Sequence, residues 1–132
     1  MKVLAGIFMS CALMVVFPAL AIGQMEELKN STPQERATLQ TEWMKTTLSL
    51  DAKASTAVDG INLRYAQENQ TLIDSSGPKL GKFMTFRKNF SATEAELKAI
   101  LTPQQYGLYE EKKAEMEEKV KQKIMAKHQG AQ

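Results

Sequence analysis

Apolar residues run almost unbroken from Val3 to Phe17; after residue 30 they recur every three or four positions. That change of pattern divides the chain. Lys2 is the only charge before Glu26, Pro18 ends the run, and Ala19-Leu20-Ala21 follows. A cation, an apolar stretch and small residues are the three parts of a secretory leader. Residues 1–21 are therefore expected to be a signal peptide, cleaved after Ala21 or after Gly23. Val3 to Ile22, taken together, is about 20 residues, enough to span a bilayer, so a retained anchor stays open as the alternative. Cys11 follows Ser10, but the apolar run continues past it, which argues against lipidation there. Residues 22–132 are expected to form one domain, ending in a frayed tail from Gln129.

The body of the chain is rich in Ala, Leu, Lys, Glu and Gln, with Val58 and Val120 the only valines beyond the leader. These are helix formers, and no strand pattern longer than a few residues is present. An all-α fold of about four helices follows. Thr32-Pro33-Gln34-Glu35 places a hydroxyl at the N-cap, Pro at the first helical position and Glu at the third. It predicts a helix over 33–48, with Leu39 and Trp43, and Met44 and Leu48, each four apart. Asp51 is the next cap candidate. A second helix is predicted over 52–74, with Ala57, Ile61, Tyr65, Glu68 and Leu72 as its inner row and Val58 widening it. Gly60 inside it predicts a close helix contact or a bend. Ser75-Ser76-Gly77-Pro78 is a loop. The third segment, 79–99, carries Phe83, Phe86 and Phe90. Ser91 with Glu94, and Thr93 with Glu96, have capping-box spacing, so a new helix is expected near 92 or 94. Thr102-Pro103-Gln104-Gln105 repeats the first start and opens a helix over 103–127. Its inner row is Tyr106, Tyr109, Lys113, Met116, Val120 and Ile124.

Charge narrows the function classes. Seventeen cations against fifteen anions leave a net charge of +2, which gives no compositional case for nucleic-acid binding. One cysteine and one histidine supply neither a disulfide framework nor a tetrahedral metal site, so no metal or cofactor is expected. Glu110 and Glu111 lack a nucleophile or oxyanion donor at a recognisable spacing, and no phosphate loop or nucleotide fingerprint is present. Catalysis is not expected. The candidate binding segment is the one from Lys79 to Phe90. There Phe83, Phe86 and Phe90 alternate with Lys82, Arg87 and Lys88. The phenylalanines either contact an acidic client steered by those cations or fill the helical core.

Leu101-Thr102-Pro103-Gln104-Gln105 has the form L-T-x-x-Q and resembles the signature of the Spy/CpxP, or LTxxQ, family of bacterial periplasmic proteins. Leu50-Asp51-Ala52-Lys53-Ala54, about 50 residues upstream, is a degenerate copy. In it Asp51 replaces Thr as a cap and Ala54 stands in place of Gln. Ser31-Thr32-Pro33-Gln34-Glu35 is a third related start. The resemblance implies long bent helices, a helical hairpin and an antiparallel homodimer. It also implies a periplasmic protein that binds unfolded clients without ATP, or else an adaptor docking on the periplasmic domain of a membrane sensor. A chain this short, drawn into slender helices, has limited interior, which independently favours a second copy.

Overall fold

A computed structural model describes residues 30–129. The expected leader with its cleavage site, and the last three residues, lie outside the described residues. Four helices follow one another: α1 (Pro33–Thr47), α2 (Ala52–Asp74), α3 (Lys79–Ile100) and α4 (Pro103–Gln129). The described residues contain no strand. The all-α, four-helix expectation holds.

Local chemistry explains the helix starts. Glu35 N–H donates to Thr32 Oγ1 at 3.1 Å, and Thr32 N–H donates back to Glu35 Oε2 at 3.4 Å. Gln105 N–H donates to Thr102 Oγ1 at 3.2 Å, and Thr102 N–H to Gln105 Oε1 at 3.1 Å. Asp51 Oδ1 accepts from Ala54 N–H at 2.7 Å. Each such cap contributes about 1 kcal/mol. Pro33 and Pro103 each open a helix, where the missing N–H costs nothing.

The α1–α2 joint is a tight left-handed stop. Ser49 has φ 53°, and Leu50 N–H reaches back to Lys45 O at 3.1 Å. This is the bond that closes a Schellman motif. A Cβ is disfavoured in that conformation, so Ser49→Gly is expected to stabilise the fold by about 0.5–1 kcal/mol. Thermal melting of the variant a few degrees above the parent checks this; an unchanged or lower midpoint refutes it.

The helices alternate in direction. Asn89 Nδ2 donates to Asn69 Oδ1 at 2.9 Å, and Arg64 pairs with Glu96. These contacts run α3 antiparallel to α2. At the far end Lys127 Nζ lies 2.8 Å from Glu35 Oε1, so α4 returns along α1. Contact between α3 and α4 is sparse. The core gathers Met44, Leu48 and Leu50 from α1 and its turn, Val58 from α2 and Leu97 and Leu101 from the end of α3. Tyr109, Met116, Val120 and Ile124 of α4 complete it.

Four local expectations are corrected. In α2 the buried positions are Val58, Asn62, Ala66 and Ile73, one residue on from the predicted row. Asn62 is the reason: its amide donates to Thr41 Oγ1 at 3.1 Å, so a polar residue sits inside and breaks the apolar period. Helix α3 is continuous through Ser91–Glu94. Thr93 Oγ1 donates to Asn89 O at 2.8 Å within the helix, so the hydroxyl is satisfied without a new start. Of the two readings of Gly60, the close helix contact is excluded, since a Cβ there would meet nothing within 4 Å. Helix α4 runs two residues past its predicted end at 127: His128 and Gln129, the latter expected to fray, are both helical, and His128 Nε2 lies 3.7 Å from Glu35 Oε2.

One buried residue has no counterpart in the sequence reading. Arg36 is 4% exposed. Its Nη1 donates to Ser31 O at 2.8 Å and Ser31 Oγ at 3.0 Å. Its Nη2 donates to Ala66 O at 3.3 Å and Gln70 Oε1 at 2.9 Å. The planar fork thus ties the entry of α1 to the second half of α2. Burial pushes the guanidinium below its usual value, while Glu35 and Asp74 oppose the shift; it still stays charged.

Candidate binding surface

The surface is built from the N-terminal half of α3. That helix starts behind Pro78, which supplies no side-chain cap. Pro78 O accepts from Lys82 N–H at 3.2 Å, and the Lys82 ammonium turns back to Ser75 O. Only Leu97, near the other end, is buried in α3. The two halves therefore differ in kind. The C-terminal half enters the core, and the N-terminal half lies along α2 with its outer side in solvent.

Leu80 is 72% exposed and Met84 57% exposed. Four residues apart, they form one outward stripe. Phe83, Phe86 and Phe90 are half-buried, neither free contacts nor core. The Arg87 guanidinium lies 6.0 Å from the centre of the Phe83 ring, and Lys113 Nζ lies 5.7 Å from that of Phe90. Arg87 and Lys88 are exposed, as is Lys79. Beside the apolar stripe, these three cations form no ion pair with a described residue. The sequence points to the segment and leaves its phenylalanines between client contact and core; the half-buried rings are neither, and the outermost apolar side chains are Leu80 and Met84. The spacing of Leu80 and Met84 was the available signal for the outer stripe.

The motif residues serve a joint. Leu101 is buried, Thr102 and Pro103 start α4, and Gln105 Nε2 donates to Leu48 O at 3.4 Å. The glutamine side chain thus caps its own helix and binds the end of α1. Thr32, Pro33 and Asp51 act only at their own helix starts, whereas Glu35 also clasps α4. The hydrogen bond from Lys127 holds the Glu35 carboxyl below its usual range, against the opposing effect of burial.

Among the described residues, no group of three or more His, Cys, Asp and Glu is placed to hold a metal ion. Burial, with the Glu110 hydrogen bond at 2.9 Å behind it, pushes the Tyr106 phenol up to about 12. It is therefore a neutral phenol at pH 7. Burial pulls the Lys113 ammonium down, but Glu94 at 2.5 Å and Glu110 outweigh it and leave the group raised.

Residues 21–109 match the family described as Domain of unknown function (DUF4890). The chain belongs to the DUF4890 family. The matched region takes in α1, α2 and α3 of this DUF4890 chain and the first turns of α4. It therefore includes the whole Leu80–Lys88 surface and the Thr102–Gln105 joint. No curated protein and no solved structure matches the chain.

Proposed function

We propose that this DUF4890 chain is a periplasmic, non-catalytic binding protein that captures unfolding proteins without ATP. The observation that carries the reading is the exposed Leu80–Met84 stripe beside the exposed cations Lys79, Arg87 and Lys88. Methionine and leucine adapt their shape to varied partners. Cations outside the stripe steer acidic chains toward it. The leader-like N-terminus supports export. The likeness of Leu101–Gln105 to the Spy/CpxP signature supports the same class. Among the described residues no helix is long and apolar enough to cross a membrane. Assembly as a homodimer belongs to this proposal, and sedimentation equilibrium tests it.

The deciding experiment measures aggregation of two unrelated client proteins. The double variant Leu80→Ser, Met84→Ser is expected to lose most of the protection. Its melting midpoint should stay close to the parent's, because exposed positions contribute less than about 0.5 kcal/mol each. Charge reversal of Arg87 and Lys88 should slow capture at low salt and matter little once screening shortens the reach to roughly 8–10 Å. Full protection by the folded double variant refutes the assignment. A parent that protects neither client but retains one envelope protein supports the alternative, a regulatory adaptor on a membrane sensor's periplasmic domain.

A further inference from the structure

A concave surface lies between α1 and α4, with no α3 residue in its lining. It is an open cleft of about 790 Å³, within the range of small-molecule sites. Its apolar lining comes from Leu39 and Trp43 on α1, Leu50 in the turn and Val120 on α4. Lys45, Lys119 and Lys123 stand on the same lining, with Glu42 the single carboxylate. Lys119 is engaged with Glu115 at 2.8 Å, a surface pair of small energy. Lys45 and Lys123 form no ion pair with a described residue, and the Trp43 indole N–H donates to none.

We propose that this cleft binds a small amphipathic anion: an apolar body with one carboxylate or phosphate head. The polar groups decide the class. The charged residues of the lining are three lysines against the single carboxylate of Glu42, and the hydroxyls of Thr46 and Thr47 can donate as well as accept. An anionic head brings acceptors alone, which the ammonium groups match. The apolar body would lie on Leu39, Trp43, Leu50 and Val120.

Trp43 is the only tryptophan in the chain, so its fluorescence reports on this cleft directly. Titration with monomeric dodecanoate is expected to give a saturable blue shift, and dodecyl phosphate should do the same. Neutral dodecyl maltoside, also below its micellar concentration, should bind at least tenfold more weakly. The double variant Lys45→Gln, Lys123→Gln should weaken dodecanoate binding about tenfold. The α3 variant Leu80→Ser, Met84→Ser should leave it unchanged, which separates this site from the client surface. Four results would each overturn the proposal. They are no saturable shift, equal response to the neutral amphiphile, indifference to loss of both lysines, and a shift only with phosphatidylglycerol vesicles. The last would mark a membrane-reading surface instead.

Discussion

Replacing Arg36 by Met should cost about 3 kcal/mol, the amount typical of a buried charged donor lost from its acceptors. Met keeps most of the stem's volume, so the loss isolates the guanidinium. Its removal leaves Ser31 O, Ala66 O and Gln70 Oε1 without this donor. For a described domain of this size the melting midpoint should fall by roughly 10–20 °C. Arg36→Lys is expected to recover less than half of it. An ammonium keeps the charge but cannot span Ser31 and Gln70 at once. A lysine variant as stable as the parent would show that charge alone holds the α1–α2 junction.

The second large effect separates the two halves of α3. Leu97 is 1% exposed and belongs to the core cluster with Leu101 and Tyr109. Leu97→Ala should destabilise by about 3 kcal/mol, through lost transfer energy and a residual cavity. Leu80→Ala, in the same helix, should cost less than about 0.5 kcal/mol. Chemical denaturation of the two variants reads both numbers. Equal costs would mean that Leu80 is covered in solution, and the proposed client surface would then fall. With the expected inequality, the client assay is free of a folding artefact at that position.

The starts of α1, α2 and α4 were legible in the sequence because their chemistry is local, although the same spacing at Ser91–Glu94 and Thr93–Glu96 marks no start. A hydroxyl, a proline and an acid or amide three positions on are adjacent in the chain, as at Thr32–Glu35 and Thr102–Gln105. The inner row of α4 was legible because one long apolar period runs through Tyr109, Met116, Val120 and Ile124. The buried row of α2 was not. Asn62 faces inward there, bonded to Thr41 from another helix, and periodicity alone assigns a lone polar residue to solvent. Arg36 was hidden for the same reason, since two of its acceptors, Ala66 O and Gln70 Oε1, lie some thirty residues away on another helix. Ser49 carries a left-handed backbone without the glycine that signals one. Within the candidate surface, the segment was visible from its charge and aromatic content. Choosing between the phenylalanines and the Leu80–Met84 stripe required knowing on which side α2 lies.

The Glu35–Lys127 clasp has a consequence for the order of folding. It joins the first turn of α1 to the last turn of α4, nearly the full described length of the chain. Most other contacts in the bundle link neighbouring helices, whose loops are short and cheap to close. The clasp therefore forms after the α1–α2 and α2–α3 pairs, on the native side of the folding barrier. Its contribution, small for a pair whose lysine is largely exposed, should then appear in the rate at which the closed bundle opens rather than in the rate at which it forms.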